Sequence, residues 1–379
     1  MLNSLSTTQL DNIRLWYVVQ HSLTSFYRLS DYYENLADAV QPDQVETWLK
    51  LGVHKNHIQR LQDFNCKDAQ RKFQFCLEQI QKTCDFILLH NEADYPQQLS
   101  HYTDKPPIVF GQGKADSLLQ AQVAIVGSRK PSNHGRQMAY DFAYYLSEQG
   151  FYINSGLAQG IDEAAHRAAL QQHRTIAVMG TGLDQTYPAT NQPLKEQIIA
   201  QGSTVITEFL PGTPPLQHHF PRRNRIVSGL SLGVIVAEAA LKSGSLITAK
   251  LAAEQGKTVF AIPGHIYSEN HKGCHQLIRE GAILIDHPHQ VVEDLALATQ
   301  WQAAEQFSKA ENSEPELIEI PAHLIPLYNQ LDWIGQGLDQ ISIQLSQDVS
   351  TITAQLMELE LLGFSTQQAG MFLRCRTGK

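Results

Sequence analysis

From residue 86 onward, short apolar runs alternate with helical stretches, and this alternation restricts the fold more than any other feature of the chain. The runs at 123–126, 151–153, 175–179, 204–206, 234–237, 258–262 and 283–285 read as strands, with helical patterns such as 137–149 and 160–171 between them. This order predicts a parallel α/β sheet with right-handed crossovers. In an open parallel sheet, ligands bind beyond the carboxyl ends of the strands. The segments that follow the strands are Gly127-Ser128-Arg129, Asn154-Ser155-Gly156, Gly180-Thr181-Gly182, Glu238 with Lys242-Ser243-Gly244-Ser245, and Pro263-Gly264. Gly and Ser leave backbone N–H groups open, and the helix N-termini behind them favour anions.

The flanks read differently. Residues 1–75 suggest short helices. Leu10, Ile13, Leu15, Trp16 and Val19 fit one amphipathic segment, and Val45, Trp48 and Leu49 open another that stops at Leu51-Gly52-Val53. The run Lys50, Lys55, Arg60, Lys67, Arg71 and Lys72 is interleaved with acids and reads as a solvated helical face. Residues 299–320 are polar and acidic, as in a linker. Beyond them, helices are expected at 323–331, 338–345 and 348–362. The last is N-capped by Asp348 and stopped by Gly363, and a hairpin over 364–374 turns at Ala369-Gly370. Three helices and a hairpin make the winged-helix pattern. Val349, Ile352, Leu356 and Leu359 line one face of 348–362, and its other positions offer Gln, Ser, Thr and Glu rather than cations, so this unit is expected to contact protein rather than DNA. The expected division is a helical domain at 1–80, a sheet domain at 81–298, a linker at 299–320 and a winged helix at 321–379.

Charge sharpens the picture. The whole chain carries −9, yet residues 121–290 hold 14 Lys and Arg against 12 Asp and Glu, while residues 291–379 hold 4 against 12. An anionic polymer would therefore meet the middle of the chain. There, Phe220-Pro221-Arg222-Arg223-Asn224-Arg225-Ile226 packs three arginines and an asparagine behind an aromatic ring, and Lys242-Ser243-Gly244-Ser245-Leu246-Ile247-Thr248 follows. Clustered guanidinium groups suit phosphate, and the ring offers a face to a base.

Other chemistries lack their signatures. There is no GxxxxGK[ST] and no GxSxG, and Gly180-Thr181-Gly182-Leu183-Asp184-Gln185 has Gln where a dinucleotide fingerprint needs its third Gly. His265, His271, Cys274 and His275 match no zinc spacing and read as loop residues. No metal or cofactor is expected. Glu208 and Glu238 could serve as acid or base, or pair with the nearby arginines. Pairing is preferred, because no second carboxylate, nucleophile or metal completes a mechanism. The five cysteines form no CxxC, the N-terminus lacks the pattern of a signal peptide, and no apolar run reaches the ~18–20 residues that span a bilayer. A cytoplasmic location is expected.

At these residues the chain resembles the DprA/Smf family of DNA-processing proteins. The resemblance rests on Ala124-Ile125-Val126-Gly127-Ser128-Arg129, Ser155-Gly156-Leu157-Ala158-Gln159-Gly160-Ile161-Asp162, the segments 220–231 and 242–248, Ala261-Ile262-Pro263-Gly264, and Gly273-Cys274-His275-Gln276-Leu277-Ile278-Arg279-Glu280-Gly281-Ala282. Asp94-Tyr95-Pro96 and Pro106-Pro107 match the family's lead-in to the sheet. It covers about residues 85–295, and the flanks match only in outline. The resemblance implies an extended Rossmann-like core with an N-terminal all-helical, SAM- or helix-hairpin-helix-like domain and a C-terminal winged helix. The Gly-rich hairpin signals of such a first domain are missing from residues 1–60, where Gly52 stands alone.

The implied function is a non-enzymatic, dimeric mediator that binds single-stranded DNA, protects it and loads RecA during natural transformation. Arg129, Arg223, Arg225 and Lys242 would contact DNA, Ser245 and Thr248 would add phosphate contacts, and Phe220 would stack on a base. Ser128, Arg222, Asn224, Ser243, Gly244 and Gly264 complete the candidate set. Other recombination or competence proteins would meet the C-terminal domain. The rival is a phosphoribohydrolase-like enzyme on the same sheet. Such enzymes carry a PGGxGTxxE loop, and Leu251 stands where its glutamate would align.

Overall fold

The computed structural model describes residues 5–298, 320–331, 335–345, 347–362, 364–368 and 371–374. It divides into two compact units, 1–304 and 305–379. In the first unit, six helices precede the sheet: α1 (Thr7–Val18), α2 (Leu23–Ser30), α3 (Leu36–Ala39), α4 (Val45–Lys50), α5 (Lys55–Asp63) and α6 (Lys67–Thr83). Ser6 and Gln9 form a reciprocal capping box that starts α1. Helix α4 ends where the sequence places its stop, and Gly52 takes the left-handed φ of +70° that follows.

The sheet has nine strands: β1 (Phe86–Leu89), β2 (Ile108–Gln112), β3 (Gln122–Val126), β4 (Tyr152–Ser155), β5 (Thr175–Val178), β6 (Thr204–Thr207), β7 (Gly233–Val236), β8 (Thr258–Ala261) and β9 (Ile283–Leu284). Their order is β1-β2-β6-β5-β4-β3-β7-β8-β9. Strands β3 to β9 are parallel and coincide with the seven runs read from the sequence. The expectation of a parallel sheet is corrected at one edge, where β2 adds antiparallel to β6 and β1 antiparallel to β2. Between β1 and β2 there is only the four-residue helix α7 (Gln97–Ser100), a return path that suits an antiparallel neighbour rather than a crossover.

The remaining helices of this unit are α8 (Asn133–Glu148), α9 (Ile161–Ala169), α10 (Gln192–Ala200), α11 (His219–Leu230), α12 (Ser245–Glu254), α13 (Lys272–Arg279) and α14 (Pro288–Ala298). Successive strand residues separate to opposite faces. Leu89, Phe110 and Ala177 share a core with Trp16, Phe26 and Leu61 of the N-terminal helices. Leu88, Val109 and Val178 share another with Ile226 and Leu230 of α11 and Ala252 of α12. The chain walks from β3 to β6 in one direction and returns to place β7 on the other side of β3, a topological switch point.

The second unit holds α15 (Ile325–Gln330), α16 (Leu338–Leu345) and α17 (Val349–Leu361) with a small antiparallel sheet, β10-β12-β11. The sheet's strands are β10 (Gln336–Gly337), β11 (Ser365–Gln368) and β12 (Met371–Arg374). Asp348 caps α17 by accepting from the Thr351 N–H at 2.9 Å. Ile352, Leu356 and Leu359 are buried as expected, whereas Val349, at the first turn, is exposed. The expected stop at Gly363, the turn at Ala369-Gly370 and all but the last residue of the expected linker at 299–320 lie outside the described residues.

Candidate nucleic-acid interface

The carboxyl ends of β6, β5, β4, β3, β7 and β8 form one edge, and the candidate residues lie along it. After β3 the chain turns sharply. The Ser128 N–H donates to the Glu238 carbonyl at 2.7 Å, the Ser128 hydroxyl accepts from the Lys130 N–H, and Arg129 is left exposed. Gly160 (φ +85°) packs here, where a Cβ would come 2.4 Å from the Ser128 carbonyl oxygen.

The arginine segment lies on helix α11, so its side chains fan apart rather than forming one cluster. Arg222 makes a bidentate contact with Glu208, Nε and Nη2 both at 2.9 Å, and its guanidinium lies over Trp16 and Phe209. Arg225 is 6% exposed and reaches the same carboxylate at 2.6 Å. Burial pushes the Glu208 carboxyl up, but Arg225 and Arg222 outweigh it and hold the group below its ordinary value. The pairing preferred for Glu208 is thus present. Arg222 and Arg225, expected at phosphate, are instead turned to a buried carboxylate.

Arg223 faces the other way. It is 4% exposed, Nη1 donates to the carbonyls of Gly156 and Val178, and Nε donates to Asn224 Oδ1. A Cβ on Gly156 would lie 2.4 Å from this guanidinium, so glycine is needed for the approach. Burial pulls Arg223 down to about 10, Asp162 opposes and Arg129 reinforces, and the group stays charged at neutral pH. Arg223 lines a cleft of about 50 Å³ with Arg129, Gly156, Ala158, Gln159, Tyr187, Pro188 and Phe220. Phe220 is half-buried. It tilts against Tyr187 at 5.3 Å, lies 5.5 Å beneath the Arg129 guanidinium, and backs onto Gly180, where a Cβ would sit 3.1 Å away.

The wall of this cleft is held by residues the sequence did not single out individually. Asp162 accepts from the N–H groups of Gly156 and Ala158. His166 Nε2 accepts from the Leu157 N–H, so its proton sits on Nδ1, which donates to Thr175 Oγ1 at 2.7 Å. Burial, reinforced by Arg223, pulls the His166 ring down to about 3. This network holds Leu157 at φ +57°, a conformation costly for a branched side chain. Tyr187 has no periodic signal; its contact with Phe220 exists only in the fold.

Across the switch point, Lys242 and Gly244 are exposed. Ser243 and Ser245 share a hydroxyl contact at 2.6 Å, and Ser245 and Thr248 are buried at the start of α12. Arg129 and Lys242 form no ion pair among the described residues. Glu238 is fully buried and accepts from the Ser132 N–H at 2.9 Å and from its hydroxyl at 2.5 Å rather than from an arginine, which corrects the pairing expected of it. Its carboxylate fills the N-terminal end of α8, the place where a dinucleotide phosphate would need to sit. Gly264 is held between the rings of His271 and His275. Among the described residues no group of three or more His, Cys, Asp or Glu could hold a metal ion, and no helix is long and apolar enough to cross a membrane.

A family model described as DNA recombination-mediator protein A matches residues 86–296. Protein Smf of Escherichia coli is 38% identical over 320 residues, covering 82% of this chain and 84% of that protein. The X-ray structure of DNA processing protein A from Streptococcus pneumoniae superposes with a TM-score of 0.65 at 36% identity, covering 77% of this chain and 98% of that one. A Helicobacter pylori DNA processing protein A, solved for its single-stranded DNA binding mode, gives a TM-score of 0.50 at 31% identity over 54% of this chain and 93% of that one.

Proposed function

Because the chain belongs to the DprA/Smf family of DNA recombination-mediator proteins, we propose that it binds single-stranded DNA along the carboxyl edge of its sheet. The observation that carries this is the juxtaposition of uncompensated cations, Arg129 and Lys242, with the ring pair Phe220–Tyr187 on one edge. Cations following a backbone beside rings that accept any base are what a sequence-tolerant single-strand binder requires. Arg129, Arg223 and Lys242 contact phosphate; Ser128, Asn224, Ser243, Gly244, Ser245, Thr248 and Gly264 shape the loops around it; Phe220 stacks on a base. Arg222 and Arg225 act from behind, fixing α11 against Glu208.

The protein acts in the cytoplasm as a mediator rather than an enzyme, protecting incoming single strands in transformation and loading RecA. Glu208 and Glu238 are both buried and fully engaged, which leaves the rival hydrolase without a free carboxylate from either. Strand β9 ends the sheet with Ile283 and Leu284 exposed, an edge suited to a second copy of the chain. The helices before the sheet are read as SAM-like and the second unit as a winged helix that meets protein.

The test is a fluorescence-anisotropy titration with labelled oligo-dT and with a duplex of equal length. Preferential single-strand binding is expected, with log K falling against log salt by ~0.7 per phosphate contact. Equal affinity for both forms, or none, rejects the reading.

A further inference from the structure

The loop between β8 and α13 carries the most exposed aromatic side chain named on this edge. Tyr267 is 81% exposed and Ile266 69% exposed. The loop is built rather than loose. The Ser268 N–H donates to the His265 carbonyl at 2.9 Å, the Tyr267 N–H donates to His265 Nδ1 at 3.3 Å, and the His271 N–H donates to the Ser268 carbonyl at 3.2 Å. Beneath it, His271 is buried against Gly264, and His275 Nε2 lies 3.0 Å from the Gly264 carbonyl oxygen. A turn fixed this firmly presents its two apolar side chains to water, where they add nothing to the core.

The rings of His265 and Tyr267 tilt together at 5.6 Å and 48°, close to the 5.3 Å and 43° of Tyr187 and Phe220. The two pairs flank the cations. Phe220 lies beside Gly180 at the end of β5, and the His265 loop follows β8, with the ends of β4, β3 and β7 between them. Arg129, Lys130 and Lys242 are exposed on those intervening loops. Four inter-strand steps of about 4.8 Å span about 19 Å. Glu269, two residues beyond Tyr267, is paired with Lys272 at 2.5 Å.

We infer that Tyr267, with His265 and Ile266, forms a second base-stacking platform, so that one DNA strand runs from Phe220–Tyr187 across Arg129 and Lys242 to Tyr267. The inference rests on the single-strand reading above and deepens it. The occupant is the same polynucleotide, because the platform continues a cationic edge and lies in line with the first ring pair. At a rise of ~3.4 Å per stacked nucleotide the platforms are about six nucleotides apart, and fewer if the strand is stretched.

The full chain is titrated with oligo-dT of about twenty nucleotides, and 5-iododeoxyuridine is placed at each position in turn for photo-crosslinking. Tyr267→Ala is expected to raise Kd by about fivefold or more with an unchanged salt slope, Tyr267→Phe to stay within about twofold, and crosslinks to Tyr267 and to Phe220 to fall at separate positions along the strand. Tyr267 is too exposed for its loss to unfold the chain. If Tyr267→Ala binds like the wild type while Phe220→Ala is weakened, the platform is rejected and the single-strand reading stands. A changed oligomeric state with unchanged DNA affinity assigns the loop to protein contact and overturns the inference. If the wild type does not bind oligo-dT, both readings fall together.

Discussion

Arginine is put to opposite uses at the two halves of the sheet edge. On the β6 side, Arg222 and Arg225 converge on the fully buried Glu208, under Trp16 of α1, whose indole N–H donates to the Glu208 carbonyl at 2.9 Å. At the centre, Arg129 and Lys242 stand exposed without a carboxylate, and Arg223 donates to the carbonyls of Gly156 and Val178 and to Asn224 Oδ1 rather than to a carboxylate. One helix, α11, serves both halves because neighbouring positions diverge by about 100°. Cation density in the sequence therefore overstates the number of cations left free to meet phosphate. The partner of each cation decides its use.

The largest effect expected from breaking this contrast is on stability. Glu208→Ala leaves the buried Arg225 guanidinium without its close carboxylate and the partly exposed Arg222 without its bidentate partner, and breaking a buried pair costs about 3–5 kcal/mol. Urea denaturation of the variant should show it. A loss below ~1 kcal/mol would mean that the arginines simply swing out to water. The pH dependence sharpens the same point. Glu208 is held below its ordinary 4.5, so its stabilising contribution is present above that pH and is lost as pH falls through the lowered value. His166 is held near 3 against an ordinary 6.5. The unfolded chain takes up that proton first, so stability should fall below about pH 6.5 at up to ~1.4 kcal/mol per pH unit until about pH 3. His166→Gln should flatten this slope between pH 6 and 4; an unchanged slope would remove His166 from the account.

Next comes DNA affinity. Phe220→Ala should weaken oligo-dT binding by about 1–3 kcal/mol with little change in salt slope. Its ring also fills space beside Gly180, so a modest drop in melting temperature is expected as well. A lowered melting temperature with intact affinity would make Phe220 a structural anchor only. Arg129→Ala and Lys242→Ala should each flatten the salt slope by ~0.7, whereas Arg225→Ala should lower stability and leave the slope in place. A flattened slope for Arg225→Ala would show that DNA draws it away from Glu208.

Much of this was legible in the sequence, for physical reasons. Parallel strands buried on both faces read as short apolar runs; all seven parallel strands lie where the runs are, the exposed edge strand β9 included. Loops of Gly and Ser punctuate them, so the carboxyl edge is legible in the sequence as well. Strands β1 and β2 were not read, because an antiparallel return without a crossover helix leaves no alternation to detect. The segment at 219–230 carries a proline, a glycine and six polar residues, which conceal a helix. Above all, the division of the arginines was illegible. It depends on Glu208, 14 residues from Arg222 along the chain but 2.9 Å away, and on Trp16, which lies 192 residues from Glu208.

The smallest effect concerns the second unit, which contrasts with the whole edge. Helix α17 carries no Lys or Arg, and Met357 and Leu361, one turn apart, are 61% and 81% exposed. An apolar stripe rimmed by Gln and Glu suits a protein partner, and a helix reading DNA would need cations to reach phosphates and bases. Residues 291–379 also carry 12 acidic side chains against 4 basic ones, so their field opposes DNA. Deleting residues 300–379 should therefore leave oligo-dT affinity within about threefold, with any change a slight gain at low salt from the removed negative charge. The measurement is the anisotropy titration repeated at two salt concentrations. A loss of about tenfold, or tight duplex binding by the isolated 321–379 fragment, would move DNA contact onto this unit and erase the contrast with the sheet edge.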